Sequence, residues 1–510
     1  MMNSLLNGMK SATNYTLTEN GGLTHKTTNS DLLDMFAMGA AMRNRSDADV
    51  ILMFQKAFAE NAELAMKMLF YIRDVRGGQG ERRFFRTVMS WAATRKDTRE
   101  SVRKNIQYFP EFGRWDDLYC LVGTPLERDA LSLIKEQLAL DVQCKTPSLL
   151  AKWLKSENAS SGETKRLADI TRRYLGMTHR EYRKTLSILR ARINVLEVLM
   201  SANRWDEIEF DKIPSKAGLI YKNAFARRDI IKAKYEKFAK DENTKVNAAA
   251  LYPYEVVEKA IDLMRSDSCW GRKSIALDNV DRLMINKYWD NLTDFFKGAK
   301  LNALCMVDTS GSMSGTPINV ATALGLYCAE RAGGPFAGHY ISFSSRPQLI
   351  ATEGVDFCDK VDRIVRTNLC ENTNIEAAFD MVLHTALRNN VPQKDMPEYI
   401  LVISDMEFDS ATGNTMWGRN RNISTINSSN AETTMEHIAR QWSELGYQMP
   451  KLIYWNVDAR QANIPMIGNH YVSYVSGFSP SIFKSIITGK TGWDLMIEAI
   501  CAERYACIHA

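Results

Sequence analysis

The chain of 510 residues contains no run of about 18 consecutive apolar residues, and its mean hydropathy is −0.28, so no membrane span is expected. The N-terminal stretch MMNSLLNGMKSATNYTLTENGG has no apolar core of the signal-peptide kind, so export is not expected. Nine cysteines, an odd number, include no Cys-x-x-Cys pair. That speaks against a disulfide framework and a zinc site and for a reduced, cytoplasmic protein. Seven histidines form no His-Glu-x-x-His. Gly489-Lys490-Thr491 ends like a phosphate loop, but Lys484 stands where a Walker A glycine is required. No RNP1 pattern, KH loop or zinc knuckle stands out as a reader of nucleic-acid sequence.

What is present is unevenly distributed. The formal net charge is only +5, yet residues 1–300 hold 50 Lys and Arg against 39 Asp and Glu, and residues 301–510 hold 15 against 21. Within the first part, residues 151–240 hold 21 basic against 11 acidic side chains. Such a split suggests a basic module that meets polyanions, joined to a mildly acidic one. Solvated helix faces would give the same counts.

Residues 1–30 are polar and read as a loosely ordered arm. From 31 to 298 apolar residues recur at three-and-four spacing, as in DLLDMFAMGAAMRN and ILMFQKAFAENAELAMKMLFYIRDV. Strand-like runs are scarce there, so a HEAT-like helical repeat is expected. Gly113-Arg-Trp-Asp-Asp-Leu118 is echoed by Asn203-Arg-Trp-Asp-Glu-Ile208, which hints at internal repetition. From 299 to 510 the pattern changes. Short apolar runs (LNALCMVD, GHYISFS, EYILVISD, KLIYWNVD, HYVSYVS) alternate with helical stretches at 317–332, 373–388 and 431–446. That is the pattern of a Rossmann-like α/β domain with a parallel sheet, in which sites lie at the carboxyl ends of the strands.

The polar residues at those ends form a constellation. Asp308, Ser310 and Ser312 follow the first run at i, i+2 and i+4, and their oxygens can all face one hard cation such as Mg²⁺. Thr373 opens a later helix and can add a hydroxyl, and Asp405 ends the run LVIS. Glu407 and Asp409 either back the site from behind or stand exposed, and the exposed reading is preferred. Tyr454, Trp455 and Asn456 end another buried run near the same edge and read as core rather than as lining of the site face. The three loops resemble the metal-ion-dependent adhesion site (MIDAS) of the von Willebrand factor A domain. By that resemblance Asp308, Ser310, Ser312, Thr373 and Asp405 hold Mg²⁺ or Mn²⁺, and a partner's acidic side chain completes the shell. With no His or Lys placed as a general base, adhesion is expected and catalysis is not.

In the helical part, Tyr71-Ile-Arg-Asp-Val-Arg-Gly-Gly-Gln-Gly-Glu-Arg-Arg-Phe-Phe85 packs four arginines (Arg73, Arg76, Arg82, Arg83) around glycines. Two readings stand side by side. It is a phosphate-gripping turn, or an inter-helix turn whose arginines pair with Asp74 and Glu81. With Gly113-Arg-Trp-Asp-Asp-Leu118, Ala151-Lys-Trp-Leu154, Tyr182-Arg-Lys-Thr-Leu-Ser-Ile-Leu-Arg-Ala-Arg192 and Tyr252-Pro-Tyr-Glu255, this motif resembles the domain-of-unknown-function 2828 family. That resemblance runs from about residue 17 to the end. The layout is similar to that of the Ro autoantigens, in which a TROVE ring of helical repeats binds small non-coding and misfolded RNAs beside a von Willebrand A domain. The likeness implies a TROVE-like domain at 31–298, a von Willebrand A-like domain at 299–510, and RNA as partner. The remaining RNA candidates are Arg180, Arg183, Lys184, Arg190 and Arg192 on or beside one helix and Arg227 and Arg228 on another, with Tyr174 and Tyr182 for stacking. The expected protein is thus a cytoplasmic, monomeric RNA binder. The alternative is a metal-dependent protein-interaction scaffold without RNA.

Overall fold

A computed structural model describes residues 14–249, 251–265, 275–343, 346–367, 374–409, 432–467 and 471–510. A helical N-terminal region is followed by a C-terminal domain built on a mixed, mostly parallel sheet. Among the described residues no helix is long and apolar enough to cross a membrane.

The chain forms two compact units, neither continuous in sequence. The first comprises residues 1–68, 251–277 and 292–504, and the second residues 69–250, 278–291 and 505–510.

The first unit is organised by six strands: β3 (Ala303–Asp308), β4 (His339–Phe343), β5 (Gln348–Ala351), β6 (Tyr399–Ser404), β7 (Lys451–Asn456) and β8 (Val472–Ser476), in the order β5-β4-β3-β6-β7-β8. Only β5 is antiparallel to its neighbour. β3 and β6 are buried at every position, because helices cover both faces, and this is why they read as unbroken apolar runs. The chain leaves β3 for β4 on one side and pairs β3 with β6 on the other. The switch in strand order therefore falls between the carboxyl ends of β3 and β6, where a crevice opens in sheets of this kind.

The segment expected to begin the helical repeat packs instead on this sheet. The helix Asp31–Met38 lies against β8, with Ser476 Oγ donating to Phe36 O at 2.8 Å and accepting from Ala40 N at 3.2 Å. Its apolar stripe (Leu32, Met35, Phe36) needed a covering partner, and the sheet supplies it. The part of the polar arm that is described, from residue 14 on, carries regular structure. β1 (Tyr15–Leu17) and β2 (Leu23–His25) form an antiparallel hairpin whose turn meets Phe408 and Asp409.

The second unit is helical, with Arg82–Thr94, Glu127–Gln143, Gly162–Tyr174, His179–Arg192, Ser215–Arg227 and Asp229–Lys240 as its longer elements. The two echoed motifs adopt the same local form, 3₁₀ turns at Trp115–Leu121 and Trp205–Glu207.

Candidate functional site

The loop after β3 sets the geometry at the switch point. Asp308 is fully buried; its Oδ1 accepts from the Ser310 backbone N–H at 2.9 Å, which folds the loop back over the strand end. Its Oδ2 accepts from Ser404 Oγ at 2.5 Å, tying β3 to β6. The Ser310 and Ser312 hydroxyls lie 3.0 Å apart. Beyond Ser404, Asp405 is buried, and Met406 holds a left-handed φ of +66° that turns the chain away. Thr373 lies outside the described residues; the helix it precedes starts at Ile375 with Asn374 as its side-chain cap.

Burial, and after it the Asp405 carboxylate, push the Asp308 carboxyl up to about 7 although Ser404 and Ser310 donate to it. Two buried carboxylates that repel each other beside two hydroxyls are a donor set for a hard cation, which would relieve the repulsion. The residues fit Mg²⁺ or Mn²⁺ by that chemistry. With a cation in place, Asp308, Ser310, Ser312 and Asp405 would hold it, and the ion would supply a positive charge with exchangeable positions. Among the described residues no three His, Cys, Asp or Glu gather as a metal group.

Three contributors carry no local motif. Ser404 is one. Arg460 is another, donating from Nη2 to Asp405 Oδ2 at 2.6 Å and lying 3.0 Å from Glu19 Oε2 through Nη1. The third is Glu407, expected at the surface and in fact fully buried. The β1–β2 turn covers it: Glu19 N–H donates to Glu407 Oε2 at 2.7 Å and Asn20 Nδ2 to the Glu407 carbonyl at 2.5 Å. Burial pushes the Glu407 carboxyl up to about 7.

The basic residues singled out in the sequence fall into two groups. Arg73 is buried and grips Asp117 with Nε at 2.9 Å and Nη2 at 2.7 Å, so it offers nothing to a ligand at the surface. Arg190 is spent on Ala151 O, Leu154 O and Ser156 Oγ. Arg192 donates to Val142 O at 2.9 Å, and Arg76 to Glu111 O at 3.1 Å. Arg228 stacks on the buried Trp205 ring at 4.7 Å, and Tyr182 is buried in the core, which removes it as a stacking platform. Arg180, Arg183, Lys184 and Arg227 are exposed, and Arg83 is half-buried. Arg82 reaches the surface at the first position of the helix Arg82–Thr94. Two glycines, Gly78 in the turn and Gly113 in the second motif, serve packing. A Cβ on Gly78 would collide with the Tyr71 carbonyl, and one on Gly113 with the Arg73–Asp117 pair.

A family model described as "Domain of unknown function (DUF2828)" matches residues 18–148 and 140–298, and one described as "Domain of unknown function (DUF7788)" matches residues 302–500. An uncharacterized protein of Acanthamoeba polyphaga mimivirus is 29% identical over 522 residues, covering 94% of this chain and 85% of that protein. Among solved structures, the Ro (RSR) protein of Deinococcus radiodurans matches with a TM-score of 0.40 and 13% identity, over 92% of this chain and 93% of that one.

Proposed function

The chain belongs to the DUF2828 family, and from its own surface we propose that it is a non-enzymatic, cytoplasmic RNA-binding protein that works as a monomer. Its helical unit holds small non-coding or misfolded RNA by shape and charge. The centre at Asp308, Ser310, Ser312, Thr373 and Asp405 takes Mg²⁺ or Mn²⁺ and recruits a protein partner through that partner's acidic side chain.

The observation that carries the RNA reading is the helix His179–Arg192. Tyr182, Leu186 and Leu189 bury one face, while Arg180, Arg183 and Lys184 stand together on the opposite face, exposed and without an ion-pair partner among the described residues. Other surface cations among the described residues are held by an acid, as Arg166 is by Glu163 and Arg173 by Asp169. A helix face of three uncompensated cations suits phosphates spaced along a strand. The adhesion reading is supported by the ligand chemistry: two carboxylates just balance a divalent ion, and the neutral hydroxyls leave it exchangeable positions that a partner's carboxylate can take. The seven described cysteines are all free, in keeping with a reducing compartment.

The test is binding of the purified full chain to fluorescent structured and single-stranded RNAs across a salt series. Log K against log[salt] should slope by about −0.7 to −0.9 for each phosphate contact. Absence of binding at every salt concentration would leave the metal-dependent protein scaffold as the function.

A further inference from the structure

The Arg-Trp-Asp-Asp turn carries more charge than it neutralises. Asp117 is fully buried and Asp116 nearly so, with a side-chain exposure of 6%. Above them, Arg86 reaches Asp117 Oδ1 through Nε at 2.6 Å and Asp116 Oδ2 through Nη2 at 3.1 Å. Arg114 grips both oxygens of Asp116 at 2.9 and 3.0 Å, and Lys155 lies 3.5 Å from the same carboxylate. With the buried Arg73, four cations already share two acids.

Arg82 is a fifth. Among the described residues its side chain makes no hydrogen bond or ion pair. Burial first, then Arg114 and Arg86, work against its charge. The arrangement is layered: the carboxylates lie at the bottom, and Arg86, Arg114 and Lys155 keep 28, 25 and 24% of their side chains open. The Arg114 guanidinium is stacked on the Trp153 ring at 4.0 Å, which fixes its plane.

We propose that this cluster is an anchor for a terminal phosphate: Arg82, Arg86, Arg114 and Lys155 hold a phosphomonoester at the end of an RNA strand. A backbone phosphodiester carries one negative charge and would leave two of the three surplus positive charges unmatched. A phosphomonoester carries nearly two at pH 7 and offers three oxygens to planar guanidinium forks. The identity of the strand rests on the RNA reading above; the anchor itself rests on the charge layering alone.

The experiment uses the full chain and a single-stranded oligoribonucleotide made in three forms: 5′-phosphorylated, 3′-phosphorylated, and hydroxyl at both ends. One phosphorylated form should bind about tenfold more tightly than the hydroxyl form, and which one tells the end. Arg82→Gln, which breaks no contact, should erase the difference at an unchanged melting temperature, and Arg82→Lys should restore part of it. Inorganic phosphate should raise the melting temperature of the wild type and not that of Arg82→Gln. Equal affinity for all three forms, or a preference that survives Arg82→Gln, overturns the anchor even where RNA binds. A phosphate shift that depends on Arg82 with no RNA bound upholds the anchor and removes the RNA reading instead.

Discussion

Arg460 donates to Asp405 across the carboxyl end of the sheet, Nη2 to Oδ2 at 2.6 Å, with Glu19 3.0 Å from the other terminal nitrogen. A guanidinium thus sits on a carboxylate of the proposed metal centre, and the tip of the N-terminal hairpin holds it there. This positive charge opposes a second cation at Asp308 and Asp405.

Replacing Arg460 with Met should therefore tighten Mg²⁺ or Mn²⁺ binding. One like charge removed at the edge of a partly solvated site is worth roughly 1 kcal/mol, or about fivefold in affinity. Isothermal titration calorimetry reads it directly. A weaker affinity in Arg460→Met would mean that the guanidinium positions Asp405 for the ion rather than competing with it.

Metal removal should be visible in stability. At a Mg²⁺ concentration about a hundred times Kd, binding adds about 2.7 kcal/mol to the folded state. EDTA should lower the melting temperature of the wild type and leave that of Asp308→Asn unmoved. In EDTA, Asp308→Asn should melt at or above the wild type, because it removes one of two buried carboxylates that repel each other. An equal EDTA shift in both proteins would separate Asp308 from the metal. Asn is the informative replacement, since Asp308 is fully buried and bonded to Ser310 and Ser404.

The glycines divide by what a methyl group would meet. At Gly113 it would collide with the Asp117 carboxylate and the Arg73 guanidinium, a buried pair that cannot yield without losing its hydrogen bonds. Gly113→Ala should cost about 3 kcal/mol in denaturant unfolding. Gly162, at the first position of its helix with nothing near, should accept Ala within about 0.5 kcal/mol. Equal effects at the two sites would contradict the packing.

How far these features were legible in the sequence depended on their range. β3 and β6 were readable because strands covered on both faces must be apolar throughout. β5 was not, because it is short, antiparallel and exposed at three of its four positions. The β1–β2 hairpin was hidden in a polar arm, since its strands of three residues depend on partners some 390 residues away. The spacing of Asp308, Ser310 and Ser312 within one turn marked the loop that the structure places at the carboxyl end of β3. Arg460 could not, since no local pattern marks a cation 55 residues from its carboxylate. Arg73 and Arg190 looked like Arg183 in sequence, and only tertiary packing separates a buried clamp from a surface charge. The tandem Asp116-Asp117 was a usable signal for that clamp: two adjacent acids in a basic region demand several cations around them.

The helix His179–Arg192 offers the sharpest separation of binding from folding. Arg183 and Lys184 are exposed on the face away from the core, so Arg183→Glu with Lys184→Glu should leave the melting temperature near that of the wild type. If both meet phosphates, RNA affinity should fall for all sequences alike, and the magnitude of the salt slope should drop by about 1.4 to 1.8. Arg190, seven residues after Arg183 on the same helix, behaves in the opposite way. Its guanidinium closes over two backbone carbonyls and a serine hydroxyl of the segment 151–156. Arg190→Ala leaves those acceptors half-buried without their donor, which costs about 1–3 kcal/mol in stability. Thermal unfolding and a salt-dependent binding series on the two variants therefore give crossed results. A double Glu variant that loses stability but not RNA, or an Arg190→Ala that loses RNA but not stability, would reverse the assignment of this helix face.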